Sequence, residues 1–286
     1  MTEYAMRSID LETPDDWVRA AKRRWNPIKT FCLFSGGGDS SVVAHRCRPY
    51  YEELLFIDTG TAVPGVREFV VEFAEWIGKP LRIEEAGDTY RRLVLGDTEK
   101  EGAPEPALGF PGVGQHNKAY SRLKERQIRS VLRDVKEGHP RTASVLFISG
   151  VRRDESRRRS NRQPLTEVGS SKFVNPLIEW TNKQMEEYKQ LNNLPKSDVS
   201  ALLHRSGECN CGAFRTDGER EMLQSLWPGW FRDNIESLET ECEEKGIRWC
   251  RWGGFDLEGN QAGGFSEEPG LLCSQCQVAG QTSLEV

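Results

Sequence analysis

The sequence lacks the features of a membrane or secreted protein. No apolar run approaches the roughly 20 residues that a helix needs to cross a bilayer, and the opening stretch MTEYAMRSIDLETPDDW has no signal-peptide apolar core. We therefore expect a cytoplasmic protein that makes no membrane contact and keeps its eight cysteines reduced. Reduced cysteines serve as ligands, nucleophiles or core residues more often than as disulfides.

The sequence also has no excess of positive charge. The formal net charge is -5, which excludes a polycation that binds nucleic acid over its whole surface but leaves room for a local basic patch. What the sequence does have is enough apolar material for a core, since 37% of its 286 residues are hydrophobic and 29% are charged.

Short apolar runs alternate with amphipathic segments along the first half of the chain. Candidate strands lie at residues 29–34, 53–57, 81–83 and 144–148. Candidate helices lie at residues 40–46, 64–77, 116–136, 181–191, 217–226 and 230–244. This alternation predicts an α/β fold, a Rossmann-like parallel sheet with helices on both faces. Ligands of such sheets bind beyond the carboxyl ends of the strands, where loops 35–40, 58–61 and 150–159 would converge.

A glycine-rich segment, here called the glycine loop, follows the first candidate strand. It reads Ser35-Gly36-Gly37-Gly38-Asp39-Ser40, and a helix follows it. Glycines let the backbone approach a ligand and aim its N–H groups at an anion, and the helix adds the positive end of its dipole. Asp39 would hold a metal ion such as Mg²⁺ or orient the loop. A plain turn between strand and helix is the alternative interpretation.

The glycine loop resembles the SGGxDS signature of the PP-loop, or N-type ATP pyrophosphatase, superfamily. Three further motifs are similar to those of the phosphoadenosine phosphosulfate (PAPS) reductases: IDTG with Pro64, ISGVRRDES with Arg159, and NPLIEWT at residues 175–181. They keep the family's order over about residues 29–212. The resemblance implies an adenine nucleotide alpha-hydrolase-like fold that binds ATP, adenylylsulfate or PAPS. It places nucleotide contacts at the glycine loop and at Asp58, Thr59, Gly60, Gly150, Arg152, Arg153 and Arg159.

Six arginines cluster directly after the candidate strand at 144–148. They are Arg152, Arg153, Arg157, Arg158, Arg159 and Arg162. Guanidinium groups suit phosphate and sulfate because they can donate two hydrogen bonds to one oxyanion. A solvated basic loop is the alternative interpretation. By the resemblance, Arg152 and Arg153 would act in catalysis together with Asp39. Lys124, on the helix at 116–136, is a further basic residue that could reach the site.

The cysteines fall into pairs. Cys209 and Cys211 form a CxC, and Cys273 and Cys276 form a CxxC, so the four thiolates together could hold Zn²⁺ or a 4Fe–4S cluster. Free or redox-paired thiols are the alternative. By the resemblance, a Cys-Cys pair would be expected near residues 115–125 and a Glu-Cys-Gly-x-His near the C-terminus, and both are absent. Cys273 or Cys276 would then take the place of the nucleophilic cysteine.

Three functions remain open at this stage. The first is a sulfonucleotide reductase that releases sulfite with the help of a thioredoxin-like reductant. The second is an ATP pyrophosphatase that adenylates a substrate for sulfur transfer to DNA or tRNA and carries the four-cysteine site. The third is a nucleotide-sensing module without catalysis. We expect a helical lead-in at residues 1–28, a nucleotide-binding domain at 29–200, a cysteine-rich extension at 201–286, and a homo-oligomer.

Overall fold

The computed structural model describes residues 13–97, 104–155 and 159–262. Its six strands are β1 Lys29–Leu33, β2 Glu53–Asp58, β3 Leu81–Glu85, β4 Val145–Ile148, β5 Leu165–Val168 and β6 Ser171–Val174. They form one sheet in the order β3-β2-β1-β4-β6-β5, in which only the β5–β6 pair is antiparallel. The predicted parallel α/β sheet is confirmed.

The helices lie before, between and after these strands. They are α1 Pro14–Trp25, α2 Gly38–Arg46, α3 Val66–Ile77, α4 Thr89–Leu95, α5 His116–Tyr120, α6 Arg126–Val135, α7 Asn182–Leu191, α8 Asp198–Leu203, α9 Glu219–Leu226, α10 Pro228–Phe231 and α11 Ser237–Glu244. A π-helical turn over Ser121–Glu125 joins α5 to α6, so the predicted helix at 116–136 is continuous but locally widened. Across the described segments, no helix combines the length and apolarity needed to cross a membrane.

The strands are apolar on both faces because helices cover both. In β1, Cys32 packs into one core cluster, whereas its neighbour Phe31 packs into the other. The alternation repeats along β4, where Ile148 belongs to the first cluster and Phe147 to the second. Helices α2 and α3 contribute to the first cluster and α6 to the second. This arrangement leaves the carboxyl ends of the strands as the open edge for a ligand.

The β5–β6 hairpin was not predicted from the sequence. Its strands have four residues each, and β5 is half-buried and then exposed, so no apolar run marks it. Once β6 pairs with β4, its end is fixed beside the glycine-loop edge, because the Ser149 amide donates to the Val174 carbonyl at 2.9 Å. The Ser149 hydroxyl also donates to Asn175 Oδ1 at 2.5 Å. The NPLIEWT motif therefore begins with a residue that ties two strand ends together.

One core cluster joins the helices after residue 200 to the sheet. It contains Val18 of α1 and Val70 of α3 together with Leu223, Phe231 and Leu238 of the C-terminal helices. The C-terminal helices therefore pack on the same hydrophobic core as the sheet.

Candidate functional site

The glycine loop follows β1, as predicted, and its last three residues form the first turn of α2. Gly36 has a φ of 77°, in the left-handed region that favours glycine, and Gly37 caps the start of α2. The Ser40 hydroxyl donates to the Gly37 carbonyl at 2.8 Å, and Ser41 donates to the same carbonyl at 3.1 Å. The Ser35 amide donates to Ser40 Oγ at 3.3 Å. These bonds hold the loop in a tight turn and leave the first amides of α2 for an anion.

Gly150 brings the end of β4 against this loop. A Cβ at Gly150 would lie 2.9 Å from the Asp39 carbonyl oxygen and 3.0 Å from its carbon, which no side chain could tolerate without backbone movement. Strands β1 and β4 are neighbours in the sheet. The missing side chain of Gly150 therefore sets the distance between two strand ends that the sequence analysis predicted to converge.

Arg152 is buried, with 3% of its surface exposed, and holds Asp39 in place. Its Nε donates to Asp39 Oδ2 at 2.8 Å, and its two terminal nitrogens donate at 2.9 Å to the Trp180 carbonyl and to Asn182 Oδ1. Of the two roles considered for Asp39, this geometry matches the orientation of the loop. Because the guanidinium balances its charge, Asp39 does not make the loop repellent to an anion.

Two cavities open on either side of Asp39. The larger has a volume of about 470 Å³, which falls within the range of small-molecule sites. Its wall is polar and includes Gly36, Gly38, Ser41, Arg152 and Lys189. The smaller cavity is mainly apolar and is lined at the ends of β1, β2 and β4 by Phe34, Ile57 and Val151, among others. The walls of both cavities, as the structure describes them, contain no cysteine.

Arg153 and Arg159, the outer arginines that the structure describes, are not among the residues that line these cavities. Arg153 donates through Nε to the Arg162 carbonyl at 3.0 Å and pairs with Glu179. Arg159 is buried and paired with Glu155. Arg157 and Arg158 lie outside the described residues. Neither Arg153 nor Arg159 lines either cavity, so their contacts with a nucleotide stay predictions.

The segment Asp58-Thr59-Gly60 contributes no atom to the walls of these two cavities. The Asp58 carboxylate accepts the Gly60 amide and the Arg67 guanidinium, both at 3.0 Å. Gly60 has a φ of 74°, and a Cβ there would lie 2.8 Å from the Gly87 carbonyl oxygen. The fully buried Thr59 donates from Oγ1 to the Glu208 carbonyl at 2.6 Å. In this structure the segment anchors the loop at residues 206–212, here called the cysteine loop.

Asn210 fixes the cysteine loop between its two thiols. Its amide donates to Thr61 Oγ1 at 3.0 Å, and its side chain donates to the Thr61 carbonyl at 2.8 Å. The Trp252 indole in turn donates to the Asn210 carbonyl at 2.8 Å. Cys211 is buried and Cys209 is half-buried. The backbone between the two cysteines is thus held on both sides.

A buried ion pair connects the cysteine loop to the smaller cavity. Lys124 Nζ donates to Glu208 Oε1 at 2.6 Å, and both side chains are about one-tenth exposed and line that cavity. Lys124 lies in the π-helical turn between α5 and α6, a kind of widening that is frequent at functional sites. From the sequence we predict that Lys124 can reach the site, but the sequence does not identify Glu208 as its partner.

Burial excludes several cysteines from thiolate chemistry. Burial raises the pKa of Cys47 and of Cys242 to about 12, and it raises the pKa of Cys32 well above its usual value. These thiols stay protonated at neutral pH and cannot act as nucleophiles. Within the described ranges, no group of three or more His, Cys, Asp or Glu side chains could hold a metal ion. Cys273 and Cys276 lie outside those ranges, so the four-cysteine site stays a prediction.

Sequence reasoning missed the contribution of α7 to the larger cavity. Asn182, Glu186 and Lys189 all line it, at the i, i+4, i+7 spacing of one helical face. The capping box of Thr181 and Gln184 sets where α7 begins. Counting the i, i+4, i+7 positions from Asn182, the first residue of α7, could have identified this polar face from the sequence.

Comparison with known proteins gives one family and one curated relative. The phosphoadenosine phosphosulfate reductase domain family matches residues 29–202. The phosphoadenosine 5'-phosphosulfate reductase of Synechocystis sp. is 30% identical over 70 residues, which are 24% of this chain and 26% of that protein. The aligned stretch therefore spans about a quarter of the relative's length.

Three solved structures show distant similarity. A PAPS reductase from Candida auris, in complex with phosphate, has a TM-score of 0.47 at 14% identity and aligns over 70% of this chain and 94% of its own. An NH3-dependent NAD synthetase from Campylobacter jejuni has a TM-score of 0.44 at 16% identity, over 86% and 96%. The U34-tRNA thiolase NcsA from Methanococcus maripaludis, with its [4Fe-4S] cluster, has a TM-score of 0.36 at 15% identity, over 80% of each chain.

Proposed function

Because the chain belongs to the phosphoadenosine phosphosulfate reductase domain family, we propose that it binds a sulfated adenine nucleotide and reduces it to sulfite. The observation that carries this proposal is the meeting of the glycine loop with Gly150 and Arg152 beside a polar cavity of about 470 Å³. Such a reaction belongs to sulfur metabolism. Its substrate is PAPS or adenylylsulfate.

The two cavities suit the two ends of such a nucleotide. The adenosine is directed towards the smaller cavity, where Phe34, Ile57 and Val151 offer apolar contact at the ends of three strands. This cavity has a volume of about 70 Å³, so it must widen to admit the nucleoside. The anionic chain extends past Asp39 towards the first amides of α2, where the positive end of the helix dipole favours it. The ion pair between Asp39 and Arg152 keeps this passage free of net negative charge.

The proposed reduction needs one thiolate. Cys273 or Cys276 attacks the sulfur of the bound nucleotide, the bond from sulfur to the phosphate oxygen breaks, and AMP or its 3′-phosphate leaves. The sulfonate is then attached to the cysteine. A thiolate of a thioredoxin-like dithiol attacks that cysteine sulfur, and sulfite leaves with the bonding electrons. The second thiol of the dithiol closes a disulfide on the reductant and frees the cysteine.

A second function is favoured by the CxC and CxxC pairs and by the absence of the Glu-Cys-Gly-x-His motif that the resemblance led us to expect near the C-terminus. In it, ATP occupies the site, a substrate oxygen attacks the α-phosphorus, and pyrophosphate leaves towards the glycine loop. Mg²⁺, when bound, would neutralise charge on the phosphate oxygens, and the second carboxylate oxygen of Asp39 is the candidate ligand. The adenylated substrate would then accept sulfur, with DNA or tRNA as the acceptor class.

The four-cysteine site fits the second function, because a cysteine that ligates a metal is not free to act as the nucleophile of the first. Cys209 and Cys211 supply two thiols from a loop whose backbone Asn210 holds in place, which is half of a tetrahedral set. Zn²⁺ or a 4Fe–4S cluster would need Cys273 and Cys276 as the other half. Metal analysis and an absorption spectrum of the purified protein distinguish the two metals. A four-cysteine site would be wrong if Cys209→Ser left the metal content unchanged.

Product analysis tests the proposal. The purified protein is incubated with PAPS or adenylylsulfate plus reduced thioredoxin, and separately with ATP and Mg²⁺, and sulfite and pyrophosphate are assayed. Sulfite that disappears in Cys273→Ser or Cys276→Ser supports reduction. Pyrophosphate without sulfite supports the second function instead. If neither product forms and no nucleotide binds, both proposals are wrong.

A further inference from the structure

We propose that Lys189 is an anion-binding residue of the larger cavity, whose ammonium exchanges Glu186 for an oxyanion held at the glycine loop. The inference rests on the proposed nucleotide site and adds a residue that none of the motifs contains. The ligand group is a phosphate or sulfate of the nucleotide chain. Pyrophosphate is the inorganic probe, because it has the phosphate oxygens of the nucleotide chain without the adenosine.

The ammonium of Lys189 lies directly over the start of α2. A Cβ at Gly38 would be 2.7 Å from Lys189 Nζ and 3.1 Å from its Cε. Gly38 is the first residue of the nine-residue helix α2, so the ammonium lies beside the first turn, whose amides have no helical partner. An oxyanion bound to those amides would therefore contact a cation that is already in place.

The present partner of Lys189 is easily exchanged. Lys189 Nζ lies 2.6 Å from Glu186 Oε1, three residues earlier on α7, and the Glu186 side chain is 59% exposed. A carboxylate in contact with water contributes little as an ion-pair partner. An oxyanion of higher charge in the cavity forms a stronger, charge-assisted hydrogen bond. The flexible stem of lysine allows the small shift that the exchange requires.

Other charged groups of the same wall are committed to less exposed partners. Arg152 is paired with Asp39, whose side chain is 19% exposed, and Arg205 with Glu219, whose side chain is 4% exposed. Their guanidinium groups hold the walls together. Lys189 differs because its side chain is only 17% exposed while its acidic partner stands in solvent. Lys196 also lines this cavity but is exposed. The asymmetry between Lys189 and its partner marks the Lys189 ammonium as a cation that can turn to a ligand.

Calorimetric titration with pyrophosphate tests the inference. Lys189→Met should weaken binding about tenfold or more, because a charge-assisted hydrogen bond is lost. Glu186→Gln should leave binding equal or tighten it a few-fold, because it removes the competing carboxylate. Lys189→Arg should restore most of the affinity. Lys183→Met is the matched control: Lys183 is on the same helix, pairs with Glu187 at 3.8 Å, and is 85% exposed.

The outcomes separate this inference from the proposed function. If the wild-type protein binds nucleotide and pyrophosphate and a folded Lys189→Met binds them equally well, the inference is wrong and the proposed function stands. Loss of affinity in Glu186→Gln equal to that in Lys189→Met would make the pair a structural brace and would also overturn the inference. If the wild-type protein binds neither compound, both fail. Thermal unfolding checks the fold of each variant, and Lys189→Gln replaces Lys189→Met if the latter unfolds.

Discussion

The glycine loop and the cysteine loop lie at the same edge of the sheet but use their backbones differently. At the glycine loop, Gly36 and Gly38, together with Gly150 after β4, remove side chains so that main-chain groups face the cavities. In the cysteine loop, the main-chain groups around Asn210 are taken up by Thr61 and Trp252. The first arrangement exposes backbone to a ligand, whereas the second holds two thiols in a fixed frame.

The contrast also assigns the two strand-end motifs to different regions. The residues after β4 support the glycine loop through Arg152, and those after β2 support the cysteine loop through Thr59. The Lys124–Glu208 pair lines the smaller cavity and so joins the two regions. Substitutions that damage one region and spare the other therefore test whether the division is real.

The largest effect is expected for Arg152→Gln. The change leaves Asp39 without its cation and removes hydrogen bonds to Trp180 and Asn182. Breaking a buried pair in this way should cost about 3 kcal/mol of unfolding free energy. Turnover should fall about 100-fold, since the loop loses its orientation. Urea unfolding and product assays measure the two effects.

Arg153→Gln is the matched control for this change. Its ion pair with Glu179 is exposed, so the unfolding free energy should change by less than about 1 kcal/mol. Equal losses in the two variants would contradict the assignment of Arg152 as the residue that holds the loop.

A smaller loss is expected for Gly150→Ala. The added methyl group would lie 2.9 Å from the Asp39 carbonyl oxygen, so the two strand ends must separate. Such overpacking should cost about 2 kcal/mol and weaken nucleotide binding. Gly229→Ala is the control, because a Cβ there meets no atom within 4 Å. A variant at Gly150 as stable as that control would show that the close approach is not required.

Thr59→Val should weaken the other region by a smaller amount. It removes the donor to the Glu208 carbonyl while keeping the shape of a fully buried side chain. The unsatisfied carbonyl should cost about 1.5 kcal/mol. Hydrogen exchange should rise at Asn210, whereas nucleotide affinity should stay within about threefold of the wild type, a change too small for a lost ligand contact. Thr59→Ser keeps the hydroxyl and is the control. A large loss of nucleotide affinity in Thr59→Val would show that the two regions are not separable.

The sequence was most informative where function constrains the backbone. The glycine loop, the strands before it and after it, and the convergence with Gly150 could all be predicted, because glycine patterns and apolar runs report on local backbone geometry. The β5–β6 hairpin could not, because its strands are too short and polar to show a period. Pairing with β4, a tertiary contact, selects that structure.

The side-chain partners were harder to predict than the loops. The motif resemblance led to Arg152, but nothing in the sequence shows that Asp39 accepts its hydrogen bond across 113 positions. The same holds for Lys124 and Glu208, which are 84 positions apart. Such pairs depend on how the helices and strands pack. Among the cavity-lining side chains discussed above, those on α7 could have been predicted, because they recur at helical spacing.

The smallest effect concerns the cysteines outside both loops. Burial raises the pKa of Cys47 to about 12 from its usual value near 9. The folded state therefore keeps this thiol protonated while the unfolded chain ionises, and the stabilisation is complete below pH 9 and declines as the pH rises. From pH 8 to 9.5 the loss is about 0.8 kcal/mol. The difference in unfolding free energy between wild type and Cys47→Ala should narrow by that amount.

Val43→Ala separates this titration from the cost of a cavity. Val43 is buried on the same helix as the residues before Cys47 but has no ionisable group, so its destabilisation should be constant between pH 8 and 9.5. A constant difference for Cys47→Ala as well would show that the thiol already ionises in the folded protein. Cys47 would then be a candidate nucleophile, because a thiol that ionises inside the core has the reactivity that burial would otherwise remove.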